Sequence, residues 1–182
     1  MRSFAGLIVA AVLSLAGCAS IPLSTALSLS SMSPRTLERV DPAQVRVKLS
    51  VPVGYELNVS AGRLKLALSG PSGSRTGQMG LSLLRVTRES RSGGLFRPDI
   101  PVSTYSLALS QDGVRELREL QHFMLAGAPD EFEFSVQAPF AKVPPQADEV
   151  TFWADLKLSS RESFIPLIDA ARIRFEPSPA GS

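Results

Sequence analysis

Between residues 45 and 175 apolar side chains recur at every second position, and that period constrains the fold more than any other feature. Val45, Val47, Leu49 and Val51 alternate with Arg46, Lys48 and Ser50 until Pro52 ends the run. Successive side chains of a strand point to opposite faces, so each such run reads as a strand with one buried and one solvated face. Leu57 and Val59 make a short second run. Leu64, Leu66 and Leu68 make a third, closed by the turn sequence Gly70-Pro71-Ser72-Gly73-Ser74. Leu81 and Leu83 follow, and then the phase slips to Leu84 and Val86. A slip of one residue turns the later side chains over unless a β-bulge absorbs it, so a bulge is predicted there. Tyr105, Leu107 and Leu109 continue the pattern, then Phe132, Phe134 and Val136. The last two runs are Val150 to Leu158 and Ala171, Ile173 and Phe175. About eight short strands with one polar face each predict a mainly β fold, an antiparallel β-sandwich.

One segment breaks the rhythm. Over residues 110–125, at 100° per residue, Val114, Leu117, Leu120, Met124 and Leu125 gather on one side. Ser110 suits the N-cap, while Gly127 and Pro129 close the segment. It is predicted to be a single amphipathic crossover α-helix.

The N-terminus carries a different signal. Arg2 precedes an apolar stretch over residues 4–15, too short to span a bilayer as a mature helix, which reads as a secretory signal. It ends in Leu15-Ala16-Gly17-Cys18, and Cys18 is the only cysteine, so no intramolecular disulfide can form. These four residues resemble the lipobox of bacterial lipoproteins: Leu, a small residue, Gly or Ala, then Cys. The resemblance implies a signal peptide over 1–17, cleavage before Cys18, a diacylglycerol thioether on its sulfur and an acylated amine. At about 0.8 kcal/mol per buried CH₂, two or three acyl chains make such an anchor effectively permanent. In the lipoprotein sorting pattern an Asp after the cysteine favours the inner membrane. Ala19 stands there, which implies the periplasmic face of the outer membrane. Residues 18–40, the lipidated Cys and a Ser-rich stretch, read as a tether, although Leu23, Leu27 and Leu29 also suit docking on the domain or the membrane surface. Residues 41–177 read as the sandwich domain, opening on an Asp41-Pro42 turn or cap, and 178–182 as a tail.

Charge and site chemistry narrow the function. The net charge is +2, and the pI near 9.0 reflects a slight Arg excess on a nearly neutral chain. Without a clustered basic face interleaved with aromatics, no nucleic-acid partner is expected. One histidine and one lipid-bearing cysteine cannot build a His/Cys metal centre, and no metal or other cofactor is expected. His122 falls beside Arg115 and Arg118 on the helical wheel and reads as a surface residue. Asp130, Glu131 and Glu133 lack the ligand spacing of a Ca²⁺ loop and read as solubilising charge. No serine stands in a Gly-x-Ser-x-Gly or Ser-x-x-Lys context. The most suggestive surface is a loop expected over residues 85–97. There Arg85, Arg88, Arg91, Phe96 and Arg97 are the candidate binding residues, since Arg forks suit anions and an aromatic tip suits a groove or lipid. Trp153 points opposite Phe152 and Ala154, which makes it either core beneath the helix or a contact residue.

These features favour a non-catalytic interaction or accessory module of the cell envelope. It would be held to the membrane by its lipid and engage an envelope protein partner or an anionic headgroup. Two alternatives stand beside it: an envelope hydrolase with a Ser nucleophile built from distant loops, and a lipid or ligand carrier with an intersheet cavity.

Overall fold

The computed structural model describes residues 34–93, 98–127 and 129–175. Among these residues there are nine strands, most of them on the alternating runs: β1 (Arg46–Pro52), β2 (Glu56–Leu57), β3 (Arg63–Gly70), β4 (Gly73–Arg91), β5 (Ile100–Leu109), β6 (Glu131–Gln137), β7 (Phe140–Lys142), β8 (Glu149–Lys157) and β9 (Ile165–Arg174). Seven of them make one antiparallel sheet, ordered β6-β3-β4-β5-β1-β8-β9 and coiled nearly into a barrel, while β2 and β7 form a small second sheet. Two helices accompany them, α1 (Pro34–Glu38) and the crossover helix α2 (Gln111–Gly127). The mainly β, antiparallel architecture with its crossover helix is the one the periodicity predicts.

Strand β4 joins the two walls. Residues 73–80 pair with β3 and residues 81–91 pair with β5, so one strand of 19 residues serves both. The predicted bulge is present: Leu83 faces Leu107 and Arg85 faces Ser106, leaving Leu84 as the extra residue. Leu81, Leu83 and Val86 therefore stand against Leu109, Leu107 and Tyr105 on a single face. At the β3–β4 hairpin Gly70 pairs with Gly73 across Pro71 and Ser72. Gly73 has a φ of 115°, which residues with a Cβ rarely adopt. Two details depart from the alternation. Val59 lies in a 3-10 turn, Val59–Ala61, rather than in a strand, and β7 is too short to show a period.

Inside, Leu49, Leu66, Leu107 and Leu156 are fully buried, together with Phe134 from β6 and Leu120 and Met124 from α2, with Leu117 buried beside them. Leu125 departs from the predicted apolar side of the helix and is 68% exposed. The Ser110 hydroxyl accepts from the Gly113 N–H at 3.0 Å and caps α2 as expected. The helix packs on β4 at backbone distance, because a Cβ placed on Gly113 would lie 2.5 Å from the Gly80 carbonyl oxygen and 3.1 Å from its nitrogen. Alanine is the better helix former by about 1 kcal/mol. Gly113→Ala is nonetheless expected to lower stability by about 1–3 kcal/mol, because rigid backbone cannot yield and the helix must move off β4. A denaturant midpoint that rises in this variant would show that the contact is looser than this.

The domain begins earlier than the expected boundary at residue 41. Leu37 is 2% exposed, and the Gln121 amide on α2 donates to the carbonyls of Leu37 and Val40 at 2.9 and 2.7 Å. Residues 34–40, read as tether, thus belong to the folded unit because α2 offers them both an apolar seat and a donor. Asp41 caps the 3-10 turn Pro42–Gln44 by accepting from the Ala43 N–H at 3.0 Å. Cys18, the signal segment and the 178–182 tail lie outside the described residues. Among the described residues no helix is long and apolar enough to cross a membrane.

Candidate functional site

The segment expected as a loop over residues 85–97 is strand as far as Arg91. Strand alternation then separates the arginines. Arg85, facing Ser106, and Arg91, facing Ile100, share the outer face of the sheet, whereas Arg88, facing Ser103, lies on the opposite face with Val86. Arg85 and Arg88 are exposed. Phe96 and Arg97 lie outside the described residues.

Arg91 is engaged within the protein. Its Nη2 sits 2.5 Å from Asp155 Oδ2 and 3.4 Å from Ser50 Oγ, with 26% of the Arg side chain and 11% of the Asp side chain exposed. Ser50 and Thr104 are fully buried, and their hydroxyls lie 2.9 Å apart. Thr104 Oγ1 donates to Glu89 Oε2 at 3.2 Å, and Thr87 donates to Oε1 at 2.9 Å. With Ser50 donating to Thr104, the donors run one way from Arg91 through Ser50 and Thr104 to Glu89, so every buried hydroxyl is satisfied. The Thr87 hydroxyl holds the Glu89 carboxyl below the usual carboxylate range, helped by Lys48, Thr104 and Arg91 and opposed by partial burial. The Phe164 ring lies over the ammonium groups of Lys48 and Lys157, at 4.7 and 5.7 Å from its centroid. The network ties β4, β5, β1 and β8 together across the outer face. Its members occupy the polar positions of four strands and look solvated in the sequence. Only the register, Ser50 against Thr104 and against Trp153, brings them together.

Past Gly80, the edge of β4 that does not face β5 has no strand partner among the described residues, because β3 begins at Arg63 opposite Gly80. Side chains from Ser82 to Val86 are exposed on both faces, and Leu83, Leu84 and Val86 are 50%, 56% and 48% exposed. Leu83 and Val86 carry the pattern of core residues, and they are uncovered because no neighbouring strand covers them among the described residues. The result is an open strand edge that is apolar and flanked by Arg85 and Arg88.

Trp153 is 2% exposed, so the core reading holds for its burial, and it lies on the outer face as its phase implies. The helix does not cover it: α2 packs on β4, and Trp153 lines a cavity of about 270 Å³ with Pro98, Ile100, Thr151, Ala170 and Arg172. His122 is exposed on α2, and Asp130, Glu131 and Glu133 are exposed around the start of β6, where the Ser69 hydroxyl donates to Glu131. Among the described residues no group of three or more His, Cys, Asp or Glu is placed to hold a metal ion. No known protein family, curated protein or solved structure matches this chain.

Proposed function

We propose that this chain is a lipoprotein of the bacterial envelope, tethered through Cys18 at the periplasmic face of the outer membrane. Its role is that of a non-catalytic interaction module, and the free edge of β4 is its contact surface. The observation that carries this reading is the open edge beyond Gly80, with three apolar side chains about half exposed beside the exposed Arg85 and Arg88. An open edge offers a row of backbone donors and acceptors, and a partner's extended segment satisfies them by adding a strand. Such a segment covers Leu83 and Val86, and acidic residues in it answer Arg85 and Arg88. The same arginines discourage pairing between two copies of this edge. The exposed position of the sole histidine, and an interior filled by residues such as Leu66 and Phe134, favour this reading over a hydrolase or a carrier with an intersheet cavity.

A photo-crosslinking residue at position 84, compared in intact cells with one at position 122, tests the proposal. A discrete protein adduct from position 84 alone is expected, and Arg85→Glu with Arg88→Glu should remove it. Lipid adducts alone would replace the protein partner by an anionic headgroup, and no adduct specific to position 84 would overturn the edge as a contact surface. In the same cells Cys18→Ala should move the protein from the membrane to the soluble fraction. Retention at the membrane would refute the anchor.

A further inference from the structure

Three cations meet on the outer face where β1 and β8 run side by side. Arg46 stands directly opposite Lys157, and Lys48, opposite Asp155, is the diagonal neighbour of Lys157 at about 7–8 Å. Like charges directly opposite one another destabilise an antiparallel pair, so this register costs stability unless something answers it. The carboxylates on the same face are already engaged, Asp155 by Arg91 and Glu89 by the hydroxyls of Thr87 and Thr104. Lys48 acts on Glu89 only at longer range. Among the described residues none of the three cations has an ion-pair partner.

The three side chains are also positioned. Arg46 Nη1 donates to the carbonyls of Ala43 and Val45 at 2.7 and 2.8 Å, which fixes the guanidinium and leaves Nη2 without an acceptor among the described residues. Phe164, the residue before β9, gathers both ammonium groups over one ring, at 4.7 Å for Lys48 and 5.7 Å for Lys157. All three cationic residues are half-buried, so their stems lie along the sheet while the charged ends reach water. We propose that Arg46, Lys48 and Lys157 bind a phosphate group, carried on a lipid headgroup or free in solution. A phosphate monoester brings about two negative charges and three strong acceptor oxygens, one for each cation. A carboxylate, with one charge and two oxygens, leaves part of the repulsion unanswered. The site shares no residue with the β4 edge, so either can fail without the other.

The full chain carrying Cys18→Ala serves as the parent, so that no acyl chain contributes to binding. Calorimetric titration with inorganic phosphate is expected to saturate, and acetate should bind about tenfold or more weakly, the factor one charge-assisted hydrogen bond supplies. Lys48→Gln/Lys157→Gln should lose about the same factor for phosphate. Its thermal midpoint in phosphate-free buffer should stay near that of the parent, because the change also relieves the repulsion around Arg46. Phosphatidylcholine vesicles with and without phosphatidic acid separate the two sources. A preference for phosphatidic acid that the double variant loses assigns the site to a lipid headgroup, whereas saturable binding of the free ion without that preference assigns it to a soluble phosphate. The proposal falls if neither probe distinguishes the parent from the double variant, or if acetate binds as tightly as phosphate.

Discussion

Leu66→Asp is expected to cost about 4 kcal/mol or more and to abolish a cooperative unfolding transition, while Lys65→Asp beside it shifts stability by about half a kcal/mol or less. Leu66 is fully buried in β3, between Gly77 of β4 and Phe134 of β6. The space over Gly77 is filled by Leu120 of α2, whose Cδ1 lies 2.6 Å from where a Gly77 Cβ would stand. A carboxylate at position 66 thus meets hydrocarbon from Leu120 and Phe134, and the Glu116 carboxylate over Gly77 adds like charge. Lys65 points to the other face, between Gln78 and Ser135, where water solvates whichever charge it carries. Urea midpoints of the two variants decide the matter. Similar losses would mean that β3 is not half-buried, and the assignment of the core face would fail with it.

Asp155→Ala should rank next, with a loss of about 2–3 kcal/mol. Removing one partner of a fully buried ion pair costs roughly 3–5 kcal/mol, because the remaining charge is stranded. Part of that is relieved here by the 26% of the Arg91 side chain that reaches water. Without Asp155, Arg91 keeps the 3.4 Å contact to Ser50, a hydroxyl already committed to Thr104, and a longer-range attraction to the Glu89 carboxylate. The double variant Arg91→Met/Asp155→Leu removes both charges while keeping their bulk. It should therefore be more stable than Asp155→Ala alone. If Asp155→Ala loses less than about half a kcal/mol in thermal or urea unfolding, the pair is effectively solvated and the outer-face network does not bind the strands together.

The candidate surface was legible only in part. Arg85, Arg88 and Arg91 stand out in the sequence by charge, but a chain read as loop has no faces, and so they appear as one cluster. Once residues 85–91 are strand, spacing decides their fates. Arg91 turns into the network with Asp155, Arg88 goes to the other face, and Arg85 stays exposed. The leucines of the same strand show the converse. Leu83 and Val86 have the phase of core residues and that phase is kept, yet they lie about half exposed because burial needs a neighbour as well as an orientation. No local pattern announces that β3 starts only at Arg63.

Local chemistry by itself determined most of the strands, though not the second half of β4 or β7, along with the bulge at Leu84, the Ser110 and Asp41 caps, the hairpin at Pro71-Ser72 and the extent of the helix to within two residues. Each of these follows from side-chain period, capping or backbone freedom over a few residues, which neighbours in sequence suffice to specify. Tertiary structure alone decided how one strand serves both walls, that residues 34–40 join the domain, that Gly113 meets the backbone of Gly80, and that Trp153 lies beside a cavity rather than under the helix. Those outcomes depend on register and on pairings between residues far apart in the chain. A period of two states which face a side chain takes, and only the assembled sheet states what stands opposite it.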